Sequence, residues 1–284
     1  MRCTCYYHAG CPDGFGAAWA VWRAWGSGAR YVPRSHDDTL DESRVEDQRV
    51  VFVDIAPPVD VVEALAERAA ELIVLDHHVS AREHYSARPE MEARLASGGH
   101  RIHFDMDHSG AVLAWNHFHP GEALPDLLRY VEDQDLWNWK LPRSEEVNAA
   151  IGSYARDFEV WDTLAERGWE ELARDGDPIL RARRIETRRA LRLAHPLALG
   201  SRRVEGVNAL HHRSHIGHEL CKRAAFGHPV GMVYRLTDRR VDVSIYSIGD
   251  FDVSAIAAEH GGGGHRNAAG FSVSLTDWLE RFVT

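Results

Sequence analysis

Two near-continuous apolar runs limit how this chain can fold. Residues 49–55 read Arg-Val-Val-Phe-Val-Asp-Ile, and residues 71–75 read Glu-Leu-Ile-Val-Leu. Runs without polar alternation mark strands buried on both faces, as in parallel sheets covered by helices. Between them Pro57-Pro58 breaks the chain, and residues 60–70 place Val61, Leu65 and Ala69 on one helical face. The same rhythm runs through the first 140 residues. A strand at 2–8 precedes a helix at 14–26 with Trp19, Trp22 and Trp25 at helical spacing, and a strand at 101–106 precedes a helix at 111–118. Regular strand–helix alternation predicts an α/β domain, a parallel sheet flanked by helices.

Beyond residue 144 the pattern turns almost purely helical up to 194, with breaks expected near Gly168 and at Asp175-Gly-Asp-Pro178. Strand signals return after Pro196, at 202–208 and in a hairpin joining 230–236 to 241–248. A helix at 253–259 and a closing strand at 270–275 complete a smaller α/β domain. The expected organisation is a first domain over 1–140, a helical connector over 141–194 and a second domain over 195–284. A length of 284 residues agrees, since one domain takes about 150.

Composition removes several classes. With 44% apolar and 27% charged residues, intrinsic disorder is excluded. No stretch approaches the roughly 18 apolar residues of a membrane helix, so no membrane partner is expected. The first residues lack a secretory apolar core, and four cysteines cannot make a disulfide framework, so the cytoplasm is the expected compartment. A net charge of −10 argues against a general duplex-DNA coat protein and fits a site rich in carboxylates. Eighteen histidines invite a search for metal ligands.

In an open parallel sheet, ligands bind beyond the carboxyl ends of the strands. The first strand ends in His8, with Asp13-Gly14 following; the strand at 49–53 ends in Asp54; the strand at 71–75 runs into Asp76-His77-His78. A helix at 126–132 ends in Asp133-Gln-Asp135. One aspartate at a strand end is an ordinary cap or turn residue, but four chain-distant segments doing the same describe a site. Imidazole with carboxylate suits manganese, magnesium or iron better than thiolate-rich zinc. Two metals are expected.

These residues resemble the DHH phosphoesterase superfamily. Asp76-His77-His78 follows a buried strand, and Asp54 ends the strand before it. Tyr7-His8-Ala-Gly-Cys-Pro-Asp13-Gly-Phe-Gly-Ala-Ala is similar to the family's first motif, and Glu132-Asp133-Gln-Asp-Leu-Trp to its fourth. Gly262-Gly-Gly-His265, followed by Ala268-Ala-Gly270-Phe271, is similar to the signature of the DHH-associated C-terminal domain. The resemblance covers nearly the whole chain, with the motifs in order.

That resemblance implies two divalent ions, manganese or magnesium, sharing a hydroxide that attacks phosphorus. It implies His8, Asp13, Asp54, His77 and Asp133 as metal ligands, with Asp54 as the bridge. Asp76 would orient a histidine and His78 would meet a substrate phosphate. Gly262, Gly263, Gly264, His265 and Arg266 would bind substrate in the second domain, across a cleft from the metals. The commoner first motif has further aspartates beside the one before glycine; here Gly10, Cys11 and Phe15 stand nearby. Water, Cys11 or Asp135 would then complete one metal position.

Other signals have two readings each. Ser109-Gly110 opens a helix, as a phosphate cradle or an ordinary N-cap. Trp137 and Trp139 either stack a base or pack in the core. Eight arginines against one glutamate over 181–203 form a solvated face or a wall that guides a polyanion. Cys3, Cys5, His8 and Cys11 could be forced into a zinc site, although Cys3 and Cys5 alternate on a buried strand. His211, His212, His215 and His218 look like a metal cluster, but they lie in a loop and an amphipathic helix start and are read as surface histidines.

The expected activity is hydrolysis of phosphodiester bonds in short single-stranded nucleic acid, releasing 5′-mononucleotides. A phosphomonoesterase on 3′-phosphoadenosine 5′-phosphate, an exopolyphosphatase and a cyclic dinucleotide phosphodiesterase remain alternatives of the same class. A non-catalytic nucleotide-binding module is the alternative of another class. Family members often form a homodimer, on which no residue of this chain speaks.

Overall fold

A computed structural model describes residues 2–35 and 38–283. The chain forms two compact units, Met1–Leu180 and Arg181–Thr284.

The first unit is built on five parallel strands: β1 (Cys3–His8), β2 (Arg30–Arg34), β3 (Arg49–Val53), β4 (Glu71–Asp76) and β5 (Arg101–Phe104). Their order is β2-β1-β3-β4-β5. The chain therefore leaves β1 towards one side and returns on the other. This puts the topological switch point between β1 and β3, where a crevice opens at the carboxyl ends. Alternate residues of the two apolar strands serve opposite faces. Val51, Val53, Ile73 and Leu75 join one core, and Val50, Phe52, Leu72 and Val74 the other. That double burial explains why these runs lack polar alternation. β2 carries Pro33 between arginines, without an apolar run, and the sequence reading passes over it. It is an edge strand, where proline's missing N–H is tolerated.

Helices α1 (Pro12–Trp25), α2 (Val59–Arg68), α3 (Val79–Ser86), α4 (Pro89–Ser97) and α5 (Gly110–Phe118) accompany the sheet. Next come α6 (Asp126–Asp135), α7 (Ser144–Ile151), α8 (Phe158–Glu166) and α9 (Trp169–Leu191). Helices α7 and α8, expected within the connector, pack onto the first unit's core through Val147, Ala150, Ile151, Trp161 and Leu164. The break expected at 175–178 does not occur, and α9 runs through Pro178. Gly176 has a packing reason instead: a Cβ there would lie 1.7 Å from the Glu146 carbonyl oxygen, so glycine lets α9 pass against the α7 backbone.

The second unit is a six-stranded mixed sheet of β6 (His195–Leu199), β7 (Arg202–Asn208), β8 (Val230–Leu236), β9 (Arg240–Ser247), β10 (Gly263–His265) and β11 (Ala268–Ser274), ordered β10-β11-β9-β8-β7-β6. Only β7 and β8 pair in parallel, joined through α10 (Arg213–Arg223); α11 (Ser254–Glu259) and α12 (Leu275–Arg281) complete the unit. The glycine run is more ordered than a bare loop: Gly263–His265 pairs antiparallel with 268–270 in a tight hairpin. No helix among the described residues is long and apolar enough to cross a membrane.

Candidate metal centre

The crevice at the switch point gathers polar residues from four segments of the first unit. His8 ends β1, and Cys11 and Asp13 open α1. Asp54 follows β3 in the left-handed region at φ 56°, a conformation aspartate tolerates better than most residues. Its N–H donates to the Leu75 carbonyl at 2.9 Å, which fixes it between β3 and β4. Asp76 ends β4 and His77 and His78 follow it, and Asp135 is the last residue of α6.

Asp54 divides its two oxygens. Oδ1 lies 3.1 Å from His77 Nε2, and Oδ2 lies 3.3 Å from His8 Nδ1 and 3.4 Å from Cys11 Sγ. Around His77 Nε2, Asp13 Oδ2 stands at 3.6 Å and Asp135 Oδ2 at 3.5 Å. Within the first unit, two sets of described side chains bring donor atoms within 4.8 Å of one another: His8, Asp54 and His78, and Asp13, His77 and Asp135. Gly110 is required here because a Cβ would lie 2.4 Å from that of Asp54.

Two buried carboxylates and a half-buried third around one imidazole distort one another's proton affinities. Burial pushes the Asp13 carboxyl well above its usual range, and the charges of Asp54 and Asp135 push it further. Burial likewise raises Asp135, to about 6, against the pull of His77. For Asp54 burial acts upwards, but hydrogen bonds with His77 and His8 outweigh it and hold the carboxyl well below its usual range. Burial would lower His77, yet Asp54, Asp13 and Asp135 raise it to about 10. In the metal-free chain a protonated His77 is the local counter-charge.

The donor set fits divalent cations. Among the described residues Asp135 Oδ2 is a buried atom with no hydrogen-bond partner, within 4.8 Å of donor atoms of Asp13 and His77, and such an atom suits a cation. Imidazole nitrogens and carboxylate oxygens are ligands for manganese, magnesium, iron or zinc.

Some expected residues have other tasks. Asp133 is buried, and its carboxylate accepts from the backbone N–H groups of Lys140 at 2.9 Å and Leu141 at 3.2 Å. It holds the turn after α6, and of the two aspartates it is Asp135 whose carboxylate stands near His77, at 3.5 Å. The helix runs three residues beyond the expected end, and Asp135 follows Leu128 and Val131 at helical spacing, half-buried where those two are buried. That helical spacing was the available signal. Ser109 takes the N-cap reading: it is buried, its hydroxyl caps α5 at Val112 N, and its N–H donates to Glu132. The next N–H groups, of Gly110 and Ala111, donate to Asp13 at 2.8 and 3.0 Å, so a protein carboxylate already takes the anion position at this helix end.

Asp76 Oδ1 accepts from the His77 N–H at 2.8 Å and lies 2.7 Å from His78 Nδ1, which orients the His78 ring. In the second unit Gly262 precedes β10, Gly263, Gly264 and His265 form it, and the exposed Arg266 donates to the Asp250 carbonyl at 2.8 Å. Trp137 and Trp139 are half-buried, both at positive φ, with ring centroids 5.1 Å apart. Most of the arginines over 181–203 are exposed, and Arg202 and Arg203 lie over Phe251 and Phe226.

Residues 219–284 match the DHHA1 domain family. Over 94% of its length the chain is 26% identical to the uncharacterized protein R106 of Acanthamoeba polyphaga mimivirus, and it spans 66% of that protein. The fold is similar to that of the pGpG-specific phosphodiesterase PggH from Vibrio cholerae, with a TM-score of 0.52 at 12% identity over 99% of this chain and 96% of that one. An exopolyphosphatase-related protein from Bacteroides fragilis aligns with a TM-score of 0.48 at 12% identity over 95% of this chain and 86% of its own.

Proposed function

We propose that the chain is a member of the DHH phosphoesterase superfamily, a reading supported by the DHHA1 match of residues 219–284 and by the fold it shares with PggH, and that it is a divalent-metal-dependent phosphodiesterase acting on short single-stranded oligonucleotides and releasing 5′-mononucleotides. One observation carries the reading: the two oxygens of Asp54 face His77 on one side and His8 on the other. A carboxylate so divided suits two cations side by side. His8, Asp13, Asp54, His77 and Asp135 are the residues that would hold them. Such a pair supplies a nucleophile at neutral pH and neutralises charge on attacking and leaving oxygens.

The protein's own groups do the rest. Asp76 fixes the His78 ring, so that its other nitrogen can meet a phosphate oxygen. Asp13, pinned by the first N–H groups of α5, keeps its carboxylate aimed at His77. Gly263, Gly264 and His265 are proposed to bind substrate. A short oligonucleotide is the favoured substrate because PggH, whose fold is similar, acts on pGpG, a two-nucleotide chain as its formula is written. The cytoplasm, where thiols stay reduced, is the proposed compartment, in keeping with four cysteines that form no disulfide among the described residues.

Purified protein with manganese should convert end-labelled dinucleotides and slightly longer RNA to mononucleotides, leaving 3′-phosphoadenosine 5′-phosphate, polyphosphate and cyclic dinucleotides intact. Turnover of one of the latter three alone would replace the substrate assignment. Tight nucleotide binding without turnover on any of them would make this a binding module.

A further inference from the structure

We propose that Cys11 is a thiolate ligand at the His8 end of the centre, so that this position takes a thiophilic divalent cation, such as zinc, cobalt(II) or iron(II), in preference to magnesium or manganese. The inference rests on the metal-centre reading above and adds to it the identity of one ligand and the class of ion it selects.

Cys11 Sγ lies 3.4 Å from Asp54 Oδ2 and 3.5 Å from His8 Nδ1, and those two atoms are 3.3 Å apart. With metal–sulfur bonds of about 2.3 Å and metal–nitrogen or metal–oxygen bonds of about 2.0–2.1 Å, a tetrahedral ion separates its ligand atoms by roughly 3.3–3.6 Å. The three donors already stand at the spacing of one face of such a coordination sphere.

A purely structural role explains the residue less well. Cys11 is the N-cap of α1, and its sulfur accepts from the Gly14 N–H at 3.2 Å. Serine, threonine, aspartate and asparagine are the preferred caps, and sulfur is a weak acceptor. Capping alone gives no reason for a thiol at this place. Soft thiolate ligands favour zinc, iron and cobalt, whereas magnesium and manganese favour oxygen. The second position, formed by Asp13, His77 and Asp135, has no sulfur within its donor set. The two positions therefore differ in softness.

The test uses the full-length protein, stripped of metal by a chelator and titrated with cobalt(II). The wild type should develop a near-ultraviolet thiolate-to-cobalt charge-transfer band that saturates with bound metal. Cys11→Ser and Cys11→Asp should bind cobalt without that band. In Cys11→Asp the ratio of cobalt to manganese affinity should fall by at least the roughly tenfold that loss of even an outer partner costs. Two substitutions guard against one failing to fold, which far-ultraviolet circular dichroism checks. Cobalt bound by the wild type without the band, or a band that survives both substitutions, overturns the Cys11 assignment and leaves the metal centre standing. A wild type that binds no cobalt overturns both.

Discussion

His77 Nε2 lies 3.1 Å from Asp54 Oδ1, joining the end of β4 to the end of β3 inside the sheet's crevice. Every other donor of the centre is arranged about this pair. Asp54→Asn keeps the shape and one acceptor but removes the charge. It should fold, lose at least about tenfold in manganese affinity, and lose hydrolysis nearly completely. Calorimetric titration of metal into the chelator-treated variant is the check; wild-type affinity with full activity would rule out Asp54 as the bridge.

Asp133 and Asp135 make a paired comparison. Asp133→Ala leaves the N–H groups of Lys140 and Leu141 without their acceptor in a partly exposed turn, which costs about 0.5–1.5 kcal/mol of stability while metal affinity stays near that of the wild type. Asp135→Ala should do the reverse, since its Oδ2 makes no hydrogen bond and the variant loses only the 3.5 Å ion pair with His77. Urea unfolding and metal titration on both variants separate the roles. The opposite pattern would return the ligand role to Asp133.

Gly110 is a spacer for the centre. Gly110→Ala places a Cβ where Asp54 Cβ stands 2.4 Å away, and α5 or Asp54 must move. Overpacking of this kind costs about 1–3 kcal/mol, and metal affinity should fall with it because Asp54 is what yields. A variant with unchanged stability and unchanged metal binding would show that the helix start has room after all.

His100 gives a pH dependence away from the centre. Its Nδ1 accepts from the Leu72 N–H at 3.1 Å, which requires the neutral ring, and burial lowers its proton affinity below the ordinary histidine value of 6.5. The unfolded chain therefore takes up this proton first as pH falls. The stabilising contribution is whole above about pH 6.5 and is lost progressively below it, towards the folded-state midpoint. Nuclear magnetic resonance titration of the His100 ring should give a midpoint below that of a model peptide. His100→Asn should flatten the acid limb of the stability profile. A midpoint at or above the peptide value would contradict the assignment.

The apolar runs at 49–53 and 71–75 determined the central strands by themselves, because a strand buried on both faces has no polar position to vary. The strand-end residues His8, Asp54 and Asp76-His77-His78 were legible for the same reason: the end of a buried strand fixes where its next residue emerges. Tertiary structure alone separated Asp133 from Asp135: the first is buried and tied to the backbone of Lys140 and Leu141, while the second stands 3.5 Å from His77. It alone gave Ser109 to the helix cap and placed Asp13 at the anion position of α5, a contact between residues 97 apart in the chain. It alone brought Cys11 within reach of both His8 and Asp54, 43 residues further along. Local sequence sets the period and the ends of elements. Which side chains meet depends on strand order and helix phase, and those follow from packing the whole sheet.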